Sequence, residues 1–480
     1  MGANISRRGL DSWQTIDKQS LMPLDSVARS IAQGLYDLVS LLPIISPHGH
    51  VDPEMLLENK PFQSAADLFI YHNHYVTRLL HADGVDLAKV LRPDASEAAD
   101  ADAHAQSAWE IFASRWHLFA GTASAYWFAR ELRNVFGIEA EFGADTAEQI
   151  RQEIEAKLQT EDFLPQELFK RFQISLLATT DSPDDDLAAH AQLANLEIGG
   201  KVVPTFRPDA FINPLAAGWF ERVTRFLDQA KLPISQRGFI EALAQRREYF
   251  IAHGAFSVDI GSESAFTTIL DDSRADELFA KAIAGDISQS EARDYLGHMI
   301  SEMIAMSCDD GLVVTLHVGV HRNHNRFTHQ TLGPDTGHDI PVQAEFTKNL
   351  EPVLNRYGLN PNLHLILFSL DDTTWSREIA PLAGFYPSVF VGAPWWFLDA
   401  PFAARRFREA TVETAGFYRG SGFIDDTRAF LSIPTRHDMA RRVDSAFLAE
   451  MVVQKRLTLA QAEKIAVDLV TDIPRRAFKL

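Results

Sequence analysis

The sequence predicts an α/β fold, a (β/α)8 barrel of the TIM type with a large helical insertion after its first strand, and three observations carry that prediction. Eight short apolar, β-branched runs each end in polar residues. Stretches with helical spacing separate most of them, and continuous apolar strands alternating with amphipathic helices form a parallel sheet covered by helices. A chain of 480 residues has room for one elaborated barrel, whose eight strand ends surround a single cavity.

The first run covers 41–50 and leads into "ISPHGHVD" (45–52), where Pro47 cannot donate to a sheet and marks a bulge or strand end. Next come "FQISLLATTD" (172–181), "KVVPTFRPD" (201–209) and "AFSVDI" (255–260). The second half continues with "GLVVTLHVG" (311–319), "LHLILFSLDD" (363–372), "PSVFVGAPWW" (387–396) and "GFIDD" (422–426). Helical spacing is expected over 239–253, 275–283, 341–358 and 402–415. About 120 residues separate the first two runs, rich in helix formers and aromatics such as "AADLFIYHNHYVTRLLHADG" and "AYWFARELRNVFG". They read as a helical cap at about 53–168, within which the Ala- and Asp-biased 94–106 is an exposed helix or a mobile loop. Residues 1–25 read as an N-terminal extension and 26–480 as the barrel domain, with no internal repeat. Residues 379–398 carry no charge, but Pro381, Pro387, Pro394, Gly384 and Gly392 exclude a membrane-spanning helix, so they read as buried strand and loop.

Composition narrows the partners. Hydrophobic residues make up 46% and charged residues 23%, as in an average soluble globular protein. A formal charge of −20 repels nucleic acid and anionic membranes, so neither is expected as a partner. An anionic substrate would have to be met by local arginines, because a bidentate guanidinium holds a carboxylate even in an acidic protein. Cys308 is the only cysteine, which excludes an intrachain disulfide and fits a cytoplasmic setting. Gly2 and Ser6 match the short myristoylation pattern, which arises often by chance, and Arg7 and Arg8 have no apolar stretch of a secretory signal behind them.

Chemistry gathers at the strand ends. His48 and His50, two apart after the first strand, suit Zn²⁺ or a similar divalent ion, although the chain has 17 histidines and such a pair arises by chance. Asp425-Asp426 ends the eighth run and offers a third ligand, or else caps the following turn. Period-two alternation lets only one of two adjacent aspartates face the cavity.

The segments "HGH", "TTDSP", "PTFRPD", "LHVGVHRNHN", "GAPWWF" and "DDTRAFLSIPTRHD" occur in an order and spacing that resemble the uronate isomerases, the glucuronate isomerase family of the amidohydrolase superfamily. The resemblance runs from about residue 25 to the C-terminus. It implies aldose–ketose isomerisation of a hexuronate, D-glucuronate to D-fructuronate or D-galacturonate to D-tagaturonate, through a cis-enediol. Such a reaction needs a base, a group that stabilises the enediolate and a clamp for the C6 carboxylate. The resemblance assigns one divalent metal, zinc or else manganese or cobalt, to His48, His50 and Asp426, the family's Asp-Ser-Arg reading Asp426-Thr427-Arg428 here. It makes Asp426 the base as well, with Arg428 beside it, and His74 a proton relay. Arg207 becomes the carboxylate clamp, Tyr75 and Arg78 substrate contacts, and Trp395 and Trp396 a wall of the site. His317, Arg322 and Asn325 are further substrate contacts, with His317 alternatively a fourth metal neighbour.

Read from the residues alone, Tyr75 with Arg78 is also a surface pair on a helix, and Arg207 a salt bridge to Asp209. The alternative activity is that of a metal-dependent hydrolase of the same superfamily. Against it, the sixth run offers Ser369, Asp371 and Asp372 at its end but no histidine, and His364 lies at the wrong end. Large barrels commonly associate, so a homo-oligomer is expected.

Overall fold

The computed structural model describes residues 19–93 and 101–480. The Gly2/Ser6 pattern and residues 94–100 of the Ala- and Asp-biased stretch lie outside the described residues, while 101–106 begin the helix Ala101–Ser114.

Seven of the eight apolar runs form parallel strands: β1 (Ile44–Ser46), β2 (Ile174–Ala178), β3 (Lys201–Val203), β4 (Ser257–Ser262), β5 (Val313–Val318), β6 (Leu365–Ser369) and β7 (Val389–Val391). They pair in sequence order as a three-stranded sheet β1-β2-β3 and a four-stranded sheet β4-β5-β6-β7. Phe206, just beyond β3, links the two: its N–H donates to Ser257 O and its carbonyl accepts from Asp259 N. Strands β5, β6 and β7 are buried along their whole length, as their unbroken apolar runs require.

The eighth run departs from expectation. Residues 422–426 form no strand ladder, because Gly422 (φ +77°) and Asp426 (φ +41°) turn the backbone into the left-handed region. The segment nevertheless follows β7, with Ser421 N donating to Val391 O (2.9 Å), and ends at Thr427, whose carbonyl accepts from His50 N (3.0 Å).

The expected helices at 239–253, 275–283 and 402–415 are Gln236–Ala252, Asp272–Ala284 and Pro401–Ala415. The stretch 341–358 is helical only over Glu351–Tyr357. Upstream of that turn, Ala344 N donates to Asp371, and Phe346 N and Thr347 N donate to Glu378, so carboxylates after β6 take amides that a helix would have used. Residues 379–398 likewise open with a helical turn, Ala380–Phe385, before β7 and a buried loop.

The insertion is helical, as expected, but broken. Asn73 stops the first aromatic segment and caps the next, its Oδ1 accepting from Tyr75 N and Val76 N. The insertion packs an aromatic core of Phe69, Trp109, Phe112, Phe128 and Phe136 that continues onto Ile44 and Leu177 of β1 and β2. The cap is therefore seated on the sheet by apolar burial. At the far end, the helix Ile433–Val453 packs against Ser26–Val39 through Leu35, Val39, Phe447 and Leu448. Among the described residues no helix is long and apolar enough to cross a membrane.

Candidate active site

β1 stops at Ser46, and Pro47, which has no N–H to extend the ladder, carries the chain into the loop that holds His48 and His50. The hydrogen bond from His50 N to Thr427 O brings this loop against the segment that ends in Asp426. One carboxylate oxygen, Asp426 Oδ1, then lies 3.3 Å from His48 Nε2 and 2.9 Å from His50 Nε2. The neighbouring Asp425 points away and meets His437 Nε2 at 2.9 Å, so only Asp426 of this pair faces the cavity. Asp426 achieves this by its positive φ and not by strand alternation.

His50 Nδ1 is 2.6 Å from Thr180 Oγ1, which orients the ring and leaves Nε2 for Asp426. Burial lowers the His50 pKa to about 4, keeping it neutral. Burial also works against charge on Asp426, but His48 and His50 outweigh it and hold the carboxyl well below the usual range. His48 is driven the other way: burial opposes its charged form, and the Asp259 and Asp426 carboxylates raise its pKa over that opposition.

A second ligand group shares His48. His317, at the end of β5, stacks on His48 with centroids 4.6 Å apart and on Phe368 at 4.1 Å. Its Nδ1 is 2.7 Å from Asp259 Oδ1, which also accepts from Thr315 Oγ1. Its Nε2 is buried and, among the described residues, has no partner. The His48–His50–Asp426 and His48–Asp259–His317 ligand atoms each lie within 4.8 Å of one another. Two imidazoles and a carboxylate with an unpartnered imidazole beside them fit a divalent cation.

These residues face a cavity of about 1330 Å³. Arg207 lines it with its Nε 3.0 Å from Asp209 Oδ2 and its Nη1 3.5 Å from Asp259 Oδ2. The salt bridge to Asp209 is thus made, and the guanidinium still faces the cavity. Gly261 permits this approach, since a Cβ there would lie 3.0 Å from Asp209 Oδ2 and 3.2 Å from Arg207 Nη2. On the side of the insertion, His74 Nε2 is buried and, among the described residues, has no partner, and burial with the Arg428 charge lowers its pKa to about 4. Tyr75 donates to Asp399 (3.4 Å), which is ion-paired with Arg436 of the long helix. Arg428 meets Asp335 at 3.1 Å, and Arg322 meets Asp339 at 2.8 Å while lying 4.8 Å over the Trp396 ring. Trp395 and Trp396 complete this wall, with both indole N–H groups buried and unpartnered among the described residues.

Two expected substrate contacts are not brought to the cavity wall. Asn325 is spent as the cap of the helix Arg326–Leu332, accepting from Thr328 N. Arg78 lies over the Phe397 ring (4.4 Å) in a small hollow behind Trp396. The sixth strand end behaves as its lack of histidine suggests: Ser369 and Asp371 bond each other's loop, and Asp372 meets Arg406. Sequence reasoning missed Asp259, Asp399, Arg436 and Glu131, all of which line the cavity or tie its wall. Asp259 had a local signal, a lone carboxylate inside an apolar run.

The whole chain can be compared with known proteins. Residues 24–477 match the family model described as glucuronate isomerase. A curated uronate isomerase of Corynebacterium efficiens is 44% identical over 463 residues, which is 96% of this chain and 98% of the relative. The crystal structure of glucuronate isomerase from Caulobacter crescentus superposes with a TM-score of 0.92 at 44% identity, covering 96% of each chain. That of uronate isomerase from Thermotoga maritima gives 0.89 at 28% identity, covering 96% of this chain and 99% of the other. A match that runs unbroken across the insertion, every parallel strand and the His48–Asp426 centre leaves one conclusion: the chain belongs to the glucuronate isomerase family.

Proposed function

We propose that the cavity isomerises hexuronates, D-glucuronate to D-fructuronate and D-galacturonate to D-tagaturonate, by moving a proton from C2 to C1 through a cis-enediol. The observation that carries this reading is Asp426, whose Oδ1 lies between two imidazole nitrogens in the same cavity as the Arg207 guanidinium. Asp426, ionised and buried, takes the C2 proton. Arg207 orients the C6 carboxylate: its Nε–H donates to Asp209 and Asp259 ion-pairs with Nη1 at 3.5 Å, which leaves Nη N–H groups for the substrate. Arg428 puts positive charge beside the developing enediolate, and neutral His74 accepts or donates at a sugar hydroxyl.

His48, His50 and Asp426 would hold a divalent ion, zinc or else manganese or cobalt, with His317 next to it. A divalent ion held there would supply Lewis-acid polarisation of substrate oxygens. We further read the parallel strands as a (β/α)8 barrel with 420–427 as its eighth stave. The hydrogen bonds of that segment to Val391 and His50 support the reading. We assign the enzyme to the cytoplasm as a homo-oligomer that meets neither nucleic acid nor membrane, on the strength of its charge and its lone cysteine.

The test is to incubate metal-loaded protein with each hexuronate and follow the product by NMR. Ketose is expected from wild type and none from Asp426→Asn; no ketose from wild type would sink the proposal.

A further inference from the structure

Glu131 is an acid in the cavity wall that the isomerisation scheme leaves idle. It opens the π-helical turn Glu131–Val135, which continues the helix Ala123–Arg130 of the insertion. Such turns are a frequent device for re-aiming a side chain at a functional site. The residue is only 5% exposed, yet it lines the cavity that holds His48, His50 and Asp426. Among the described residues no side chain or backbone N–H bonds or ion-pairs with its carboxyl. The charge acting on it is that of Arg436, which is already paired with Asp399. A carboxylate buried without a partner is costly, and the group is neutral instead. Burial, against the weaker pull of Arg436, raises its pKa to about 8.

A neutral carboxylic acid carries an O–H donor and a carbonyl acceptor side by side. A hexuronate in water is closed into a hemiacetal ring, whereas transfer of a proton from C2 to C1 needs the open-chain aldehyde. Neighbouring groups on the wall are otherwise engaged: Asp209 and Asp259 are paired with Arg207, Asp335 and Asp339 with Arg428 and Arg322, His74 has one basic nitrogen, and the Tyr75 hydroxyl is committed to Asp399. Resting on the isomerase reading, we infer that Glu131 opens the sugar ring by exchanging two protons at once. Its O–H gives a proton to the ring oxygen as the bond from C1 to that oxygen breaks, the bonding pair staying on the oxygen as the new hydroxyl. Its other oxygen takes the proton of the anomeric hydroxyl, whose O–H electrons become the second bond of the C1 carbonyl. Glu131 ends protonated on the opposite oxygen, and nothing is oxidised or reduced.

The experiment measures initial velocity on D-glucuronate against the concentration of metal-loaded enzyme, beside the uncatalysed ring-opening rate obtained from anomer exchange by NMR. Wild-type velocity should stay proportional to enzyme and pass that rate by about a hundredfold, the lower end of what a positioned general acid supplies. Glu131→Gln, which keeps the shape but cannot exchange protons, should level off at the uncatalysed rate. At low enzyme it should show a raised KM with kcat little changed. A folded Glu131→Gln that passes the uncatalysed rate in proportion to its concentration would overturn the inference, as would a lowered kcat with KM unchanged. If that variant does not fold, wild type alone decides: anomer exchange no faster with enzyme than in buffer overturns it. Ring opening is read from anomer exchange and isomerisation from ketose, so a wild type that exchanges anomers without making ketose defeats only the isomerase reading.

Discussion

Replacing Arg207 by alanine removes the guanidinium that bridges Asp209 (3.0 Å) and Asp259 (3.5 Å) at the cavity wall. Only its Nε–H is hydrogen-bonded, so the Nη N–H groups remain for a substrate carboxylate, enough for a fork of two charge-assisted hydrogen bonds. At about 1.5–2 kcal/mol each, that fork contributes about 3–4 kcal/mol to binding. At about 1.4 kcal/mol per tenfold, KM should rise about 100- to 1000-fold. The variant also leaves Asp209 and Asp259 facing an incoming anion, which pushes in the same direction. The C6 carboxylate is held alike in ground and transition states, so kcat should change little. Arg207→Lys keeps the charge but loses the fork, and should fall between wild type and alanine. The assay is initial rate against D-glucuronate concentration. A collapse of kcat with KM unchanged would refute the reasoning and move Arg207 from the clamp to the chemistry.

Thr180→Val frees the His50 ring from its 2.6 Å partner and should weaken divalent-metal affinity about 10- to 100-fold, read by competition with a chelating dye; unchanged affinity would mean the loop alone orients His50. Trp109→Ala opens the aromatic core of the insertion and breaks the bond from its indole N–H to Ala147 O, and thermal unfolding should show a loss of about 3–5 kcal/mol. Glu131 makes stability depend on pH with a defined sign. Its folded pKa of about 8 lies above the ordinary 4.5, so the native state holds the proton more tightly. The stabilisation is complete below 4.5 and is lost as pH rises through about 8. The melting temperature of Glu131→Gln should accordingly gain on wild type between pH 5 and 8, and a constant difference would contradict the buried neutral acid.

Seven of the strands were legible because their apolar, β-branched runs stay buried from end to end, and the histidine pair was legible because it follows the first of them directly. The eighth run misled for a physical reason: the left-handed turns at Gly422 and Asp426 leave no mark on hydrophobic periodicity. The helix expected over 341–358 failed because Asp371 and Glu378, distant in sequence, capture its amides. The structure turns Asp426 rather than Asp425 to the cavity by a backbone twist and by His437, which holds Asp425 away, and neither feature is written in strand alternation. The resemblance implies Arg78 and Asn325 as substrate contacts, whereas the fold spends each on its own surroundings, a ring face and a helix cap. Glu131 sits in the insertion, far in sequence from the strand ends, and only the folding of the cap over the sheet brings it to the wall.

The most direct test of the central claim, proton transfer by Asp426 through an enediol, is to run the isomerisation in D₂O and read the ketose by NMR. Wild type should form ketose carrying deuterium at C1, and Asp426→Asn should form none. Ketose formed at full rate by Asp426→Asn would contradict it.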